Sequence, residues 1–187
     1  MSGILQALLT GGAAVTTWNP ADTNAAITLS NGNLTATANA NVGNVCSRAT
    51  TYRSDIRQYE VTIVAEVESF YPGFGLGNAS ASINTFPGAD NNGIGFNGNN
   101  TYVIGGVISA GPGFTWTVGD TITFEYDGVA KTVRLAKNGG AFSATISTAV
   151  ITGAVAPMVY TARTGDSLTA NFGASAFTKP GVQSWNG

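Results

Sequence analysis

The sequence contains no histidine, and this absence excludes several chemistries at once. Without an imidazole the chain cannot form a Ser-His pair, a histidine-ligated metal site or a histidine acid–base centre. Charged residues make up only 10% of the 187 residues, against about 25% in ordinary soluble domains. The net charge is −2 and no block of Lys or Arg occurs, so we expect no nucleic-acid partner. Asn, Thr, Ser and 25 glycines supply the polarity instead, which suits polar neighbours such as other subunits or sugars.

Cysteine is nearly absent as well. The single residue Cys46 cannot form a disulfide within the chain. Free cysteines are usually buried, so we expect Cys46 to be buried and reduced. A bridge between two subunits is the alternative. The lack of a disulfide framework favours synthesis in a reducing cytoplasm.

The N-terminus carries a short apolar run. It is too short to span a bilayer and lacks the basic flank of a signal peptide, so we expect neither, and no membrane partner. On a two-turn helix Ile4, Leu5, Leu8 and Leu9 would share one face, and Gly11-Gly12 would end the helix. We predict that residues 1–12 form an assembly segment and that residues 13–187 form the folded domain. The alternative is that the segment caps an open end of its own domain.

The body of the chain alternates short apolar segments with Asn, Gly and Pro turns, which predicts an all-β sandwich or barrel. Residues 59–68 and 121–127 each show period two with one apolar face, as half-buried antiparallel strands do. Phe124 is predicted to face the core and Thr123 to face solvent. We therefore expect Phe124→Ala to cost about 3–5 kcal/mol and Thr123→Ala well under about 1 kcal/mol.

Two dipeptides that end in glycine predict tight turns after these strands. Asp127-Gly128 is typical of a type I′ hairpin, which would lead into a strand at residues 129–136 with Val129 on the apolar face. Asn138-Gly139 predicts a second tight turn, so that consecutive strands form a meander.

Residues 69–78 and 84–100 are predicted to be long loops at the ends of the sandwich, where recognition residues usually lie. Their aromatic side chains would be interface anchors if exposed, or plugs of the sandwich ends if buried. The candidate recognition residues are Phe70, Tyr71, Phe74, Phe86, Asp90, Asn91, Asn92, Asn97, Asn99, Asn100 and Tyr102.

Carboxylates two residues apart occur at Glu66/Glu68 and at Glu125/Asp127. On one strand face such a pair lies about 6.5–7 Å apart, close to the separation in inverting glycosidases. Because the pattern occurs twice, we interpret it as an ordinary solvated sheet face and assign no catalytic residue.

Two further motifs have structural interpretations. The segment Asp90-Asn91-Asn92 could offer oxygen ligands to calcium, but few carboxylates accompany it, so an Asx-rich turn is favoured over a metal site. Gly73-x-Gly75-x-Gly77 lacks the lysine and helix of a phosphate loop. Its spacing indicates a strand that neighbours approach closely, and we expect no cofactor.

Six segments occur in a fixed order along the chain. They are Trp18-Asn19-Pro20, Leu29-Ser30-Asn31-Gly32-Asn33-Leu34, Tyr59-Glu60-Val61-Thr62-Ile63, Gly119-Asp120-Thr121-Ile122-Thr123-Phe124, Lys137-Asn138-Gly139 and Asn171-Phe172-Gly173. In this order and spacing they resemble the SPRY domain of the concanavalin A-like superfamily, from roughly Trp18 to Trp185. The resemblance implies a jelly-roll β-sandwich of two antiparallel sheets, sealed by Trp18 and Trp185. It also implies a protein that binds partners and performs no catalysis.

The low charge, the lack of histidine and the opening Met1-Ser2-Gly3-Ile4-Leu5-Gln6 resemble small structural proteins of tailed bacteriophages. This resemblance implies a virion component: a head decoration, a head fibre, or a tail or fibre accessory protein. Its partners would be other virion proteins and further copies of itself. The alternative is a carbohydrate-binding module that recognises host-surface glycan. Exposed Tyr and Trp on a concave face would favour that alternative.

Overall fold

The structure is a computed structural model, and it describes residues 15–68 and 70–187. The predicted assembly segment with Ile4, Leu5, Leu8 and Leu9, and the domain boundary at residue 13, lie outside the described residues. The described part contains strands and turns and no helix, so no helix there could cross a membrane. The strands are β1 (Trp18–Thr23), β2 (Ile27–Ser30), β3 (Thr35–Ala38), β4 (Val45–Ala49), β5 (Ile56–Ala65), β6 (Gly73–Gly77), β7 (Gly93–Asn97), β8 (Thr101–Ile104), β9 (Val107–Ala110), β10 (Thr121–Asp127), β11 (Thr132–Lys137), β12 (Ile146–Ser147), β13 (Ala156–Thr161) and β14 (Ser167–Asn171).

The strands form two antiparallel sheets of seven. Sheet A has the order β1-β4-β13-β6-β7-β8-β9, and sheet B has the order β12-β11-β10-β5-β14-β3-β2. Apolar residues of both sheets share one hydrophobic core. The predicted all-β sandwich of two antiparallel sheets is therefore confirmed. Strands β10, β11 and β12 are also neighbours in chain order, as the meander prediction required.

The alternation in β5 and β10 produces the centre of the core. Tyr59 and Val61 on β5 and Phe124 on β10 are fully buried. The rings of Tyr59 and Phe124 are paired partners across the two strands and stack with centroids 5.1 Å apart. The predicted core face of these strands is confirmed.

Two tryptophans seal the core from opposite ends of the chain, as the resemblance implied. Trp18 lies edge-on to Phe172 at 5.0 Å, and Trp185 lies edge-on to Tyr59 at 5.7 Å. Both indoles are fully buried, and each indole N–H donates to a backbone carbonyl. Their burial joins both ends of the domain to the same core.

The turn between β10 and β11 differs from the predicted two-residue hairpin. Asp127 pairs with Thr132, so the loop has four residues, and the positive φ of 55° falls on Lys131 rather than on Gly128. The Asp127 carboxylate accepts the N–H of Val129 at 2.9 Å, which holds the wider loop. Val129 is consequently 81% exposed and does not continue the apolar face.

The second tight turn follows the prediction. Asn138 and Gly139 both adopt positive φ, at 49° and 74°, and the Gly140 N–H closes the turn on the Lys137 carbonyl at 2.9 Å. An asparagine–glycine pair tolerates this left-handed backbone at low steric cost.

The predicted solvent face of β5 and β10 is wrong at Thr123, because residues 173–187 cross it. This C-terminal strap encloses Glu60 and Thr123, both nearly inaccessible. Thr123 donates to the Glu60 carboxylate at 2.7 Å, and the Thr178 hydroxyl of the strap donates to the same oxygen at 2.6 Å. Glu125 is buried beside them and pairs with Arg134 at 2.6 Å. Beneath the strap, polar residues on the outer face of sheet B are therefore buried and hydrogen-bonded to one another.

We expect Thr123→Ala to cost about 1–3 kcal/mol of unfolding free energy, because it removes a buried hydrogen bond to a charged group. Thr62→Ala is the matched control, since Thr62 is only partly buried on β5 and shares a neutral hydrogen bond with the Thr121 hydroxyl at 2.9 Å. Its loss should be smaller, about 0.5–1 kcal/mol, because neither partner is charged. Phe124→Ala should cost about 3–5 kcal/mol. Urea unfolding measures all three, and equal losses at Thr123 and Thr62 would contradict the role of the strap.

Candidate functional site

Part of the first predicted loop, residues 69–78, is a strand of sheet A. Gly73–Gly77 forms β6 in the interior of the sheet. Phe74 is therefore fully buried in the core, 4.9 Å from the Trp116 ring, and its assignment as a recognition residue was wrong. The misassignment arose because a strand with glycine at alternate positions has the composition of a loop.

The β6 glycines leave space for side chains from the adjacent strand β13. A Cβ at Gly73 would overlap the Tyr160 ring, and a Cβ at Gly77 would overlap the Met158 sulfur. Gly-x-Gly-x-Gly therefore marks a strand that neighbours approach closely, as predicted. The large side chains of β13 lie flat across β6 as a result.

The second predicted loop also contains a strand. Residues 93–97 form β7, in which Ile94 and Phe96 are buried, and residues 98–100 form a short turn after it. The long irregular part is the stretch before β7. That irregular part lies directly on the sheet, because a Cβ at Gly95 would overlap the carbonyl of Pro87. We call residues 78–92 the covering loop.

A small second cluster lies beneath the covering loop. Cys46 and Met158 are fully buried there, with Phe86 packed against the cluster. The Cys46 thiol donates to the Thr85 carbonyl at 2.8 Å. Burial raises the pKa of the Cys46 thiol far above its ordinary value, against a smaller lowering by the nearby Arg48 charge. The expectation that Cys46 is buried is confirmed, and it forms no disulfide within the described part.

Arg48 fastens the covering loop to β4. The buried guanidinium donates to the Asn78 carbonyl at 2.6 Å and also to the Ala81 carbonyl. Asp22 balances the charge at 3.1 Å. The loop is therefore held by charge-assisted hydrogen bonds, which are stronger than neutral ones.

An apolar groove of about 230 Å³ lies beside the covering loop, and we call it the sheet A groove. Its lining residues are Asn44, Phe70, Tyr71, Phe86, Asn97, Asn99, Thr101, Val103, Ile108 and Tyr160. Five of the predicted recognition residues meet here: Phe70, Tyr71, Phe86, Asn97 and Asn99. Among residues 15–68 and 70–187, no charged side chain lines the groove.

Exposed apolar side chains stand at the rim of the groove and a hydrogen-bonded tyrosine forms part of its wall. Phe70 is 47% exposed and Ile108 is 70% exposed. The buried Tyr160 ring lies edge-on to Tyr71 at 6.1 Å, and its hydroxyl donates to the Phe96 carbonyl at 2.9 Å. The wall is thus held in place while the rim remains open to solvent.

The remaining predicted recognition residues lie elsewhere. Asp90 and Asn92 form an Asx turn, in which the two carboxylate oxygens accept the backbone and side-chain N–H groups of Asn92, each at 2.8 Å. Asn91 lies in that turn, with its amide oxygen next to Gly105. None of the three lines the groove.

Asn100 and Tyr102 have structural roles. Asn100 adopts a positive φ of 63° in the β7–β8 turn, and its side chain accepts the Gly113 N–H at 2.8 Å. Tyr102 packs against the main core beside Phe96, with ring centroids 5.8 Å apart. Neither residue lines the sheet A groove, and a recognition role for them stays a prediction.

Sequence reasoning missed five groove residues, which are Asn44, Thr101, Val103, Ile108 and Tyr160. The available signal was the apolar pair Val107-Ile108 after Gly105-Gly106, which has no polar alternation. The Asn44 side-chain oxygen is buried, and none of the described residues donates a hydrogen bond to it. Buried acceptors are normally satisfied by a protein group or an ordered water.

The two carboxylate pairs lie in cavities separate from the sheet A groove. Glu66 and Glu68 line a separate polar cavity of about 600 Å³, where Glu68 pairs with Arg163 at 2.9 Å. Trp116 in the same cavity is only 4% exposed and presents no open ring face. Among residues 15–68 and 70–187 no cluster of three metal-ligating side chains occurs.

Comparisons with known proteins give a consistent assignment of the fold. The SPRY domain model matches residues 56–175. The SPRY domain of human HERC1 superposes with a TM-score of 0.68 at 16% identity, covering 85% of this chain and 99% of that one. The TRIM65 PSpry domain gives a TM-score of 0.66 at 11% identity, covering 83% of this chain and 91% of the other. A human SPRY domain superposes with a TM-score of 0.65 at 18% identity, covering 81% of this chain and 98% of the other. No curated protein matches the sequence.

We expect Gly77→Ala to loosen the covering loop, because the added methyl group would lie 2.7 Å from the Ala81 Cβ and overlap Met158. Overpacking of this kind costs about 1–3 kcal/mol.

In the unchanged protein Cys46 should not react with DTNB and should form no covalent dimer on non-reducing electrophoresis. Gly77→Ala should make the thiol reactive, whereas Gly140→Ala in an exposed turn should not. A thiol equally unreactive in both variants would contradict the packing described here.

Proposed function

The chain belongs to the SPRY domain family, and we propose on that premise that it is a non-enzymatic module that binds other proteins. The observation that carries this proposal is the sheet A groove, where exposed Phe70 and Ile108 flank a held, uncharged wall. Aromatic and aliphatic side chains around a pocket are typical of the centre of a protein interface. We propose neither a nucleic-acid nor a membrane partner.

We further propose that the module is a structural component of a bacteriophage virion, as a head decoration, a head fibre, or a tail or fibre accessory protein. The support is the composition, with 10% charged residues and no histidine, together with the apolar N-terminal run. On this proposal the chain is made in the host cytoplasm, and its partners are other virion proteins and copies of itself.

A carbohydrate-binding module that reads host glycan is the second candidate. The cavity beside Glu66 and Glu68 favours it, because Asn99, Thr115 and Thr117 bring hydroxyl and amide groups that suit sugar hydroxyls. The tryptophans weigh against it, since Trp18, Trp116 and Trp185 are all buried and cannot stack on a sugar ring. We therefore place protein binding first.

We expect no glycosidase activity, because Glu68 is held by Arg163 and Glu125 by Arg134. An assay against a panel of β-glucans and bacterial polysaccharides, with the chain at micromolar concentration, tests this. Turnover that Glu66→Gln or Glu68→Gln abolishes would overturn the non-enzymatic proposal.

The virion proposal predicts that the chain co-purifies with phage particles at a fixed ratio to the other structural proteins. Phe70→Ser should lower its incorporation about tenfold or more if Phe70 anchors the interface. Val129→Ser, at an exposed position in the β10–β11 loop, is the matched control and should incorporate normally. Quantitative mass spectrometry of purified particles gives the ratio. Particles without the chain would contradict the virion role, and equal incorporation of both variants would contradict the role of the groove.

A further inference from the structure

The sheet A groove is open where a partner would bind, and its chemistry restricts what that partner can be. Its lining has no Lys, Arg, Asp or Glu, so a charged peptide finds no counter-charge there. Ile108 and its neighbour Val107, 62% exposed, place an aliphatic patch on the edge strand β9. An apolar, uncharged segment is the occupant that such a surface suits.

The chain itself contains such a segment. Residues 1–14 include no Lys, Arg, Asp or Glu, and they carry the predicted apolar stripe of Ile4, Leu5, Leu8 and Leu9. Gln6 lies within the same stretch and carries amide N–H groups. That amide suits the Asn44, Asn97 and Asn99 side chains that line the groove.

We propose that the sheet A groove binds the N-terminal segment of a second copy of this chain. This inference rests on the proposed function, because it names a partner for the same groove. The stripe would pack against Ile108 and Phe70, and each copy would offer one segment and one groove. The contact is therefore head-to-tail, and repeated contacts would build a ring or a filament.

Distances favour a neighbouring copy over the chain's own segment. Val15, the first described residue, lies just before β1, and the next residue, Thr16, donates its backbone N–H to the Asn186 side-chain oxygen. Strands β1 and β9 are opposite edges of sheet A, separated by six strand spacings, which is about 29 Å. Leu9 and Val15 are six Cα–Cα steps apart, and that length reaches at most about 22 Å when fully extended.

If the N-terminal segment were stretched over its own sheet, its four apolar side chains would no longer share one helical face. Ile4 and Leu5 lie 11 and 10 steps from Val15, so reaching β9 needs about 2.6–2.9 Å per residue against a maximum of about 3.3–3.6 Å. A helix rises only about 1.5 Å per residue, so a segment stretched in this way could not keep the helical stripe. The covering loop already occupies much of that path over β4, β13 and β6. A segment from a neighbouring copy is limited neither by the reach of the chain nor by the covering loop.

The test uses two complementary variants of the full chain. Deletion of residues 1–10 removes the segment and leaves the groove, whereas Ile108→Glu places a charge in the groove and leaves the segment. Sedimentation velocity should show the unchanged chain self-associating with rising concentration and each variant as a monomer. An equimolar mixture of the two variants should form a 1:1 dimer and nothing larger, because only one segment and one groove remain. Val129→Glu should associate like the unchanged chain.

Other outcomes overturn the proposal. A monomeric unchanged chain, or a mixture that stays monomeric while thermal melts show both variants folded, would exclude the exchange of segments. Unfolding of the deleted chain would show that the segment caps its own domain instead. If the mixture stays monomeric but Phe70→Ser still lowers particle incorporation, the groove binds another virion protein and the proposed function survives.

Discussion

The alternate glycines of β6 and β7 are the constraint on which the rest of the site depends. Gly73 and Gly77 let Tyr160 and Met158 lie flat against the sheet, and Gly95 lets the covering loop approach to backbone contact. A single methyl group at any of these positions would overlap a neighbour, because protein interiors leave few voids of that size. The wall of the sheet A groove is built from the side chains that these glycines admit.

The two outer faces of the sandwich are covered by different means. On sheet A the covering loop encloses an apolar cluster with Cys46 and is fastened by Arg48. On sheet B the C-terminal strap encloses the carboxylate of Glu60, which accepts hydrogen bonds from Thr123 and Thr178. Both coverings are irregular backbone whose polar groups are satisfied by specific partners. The sheet A groove lies at an edge of the first covering, so its shape depends on how firmly that loop is held.

The strands with regular alternation could be predicted from the sequence, whereas the coverings could not. Phe124 and Tyr59 were placed in the core because period two has a single physical meaning when one face is apolar. Phe74 was misplaced because glycine on alternate positions removes the very side chains that reveal a strand. Thr123 was misplaced because a polar residue beneath a buried carboxylate has the same pattern as one beneath water. Five groove residues were predicted from loop composition, but Ile108 and Tyr160 come from distant strands that only the sheet order brings together.

The central claim is that the sheet A groove is the interaction surface of this SPRY domain. Hydrogen–deuterium exchange of the chain within its assembled particle, compared with the free chain, tests it most directly. The account predicts slower exchange at residues 70–71, 84–88 and 97–108, with little change in the C-terminal strap at residues 173–187. Slower exchange confined to the strap or to the outer face of sheet B, with the groove segments unchanged, would contradict it.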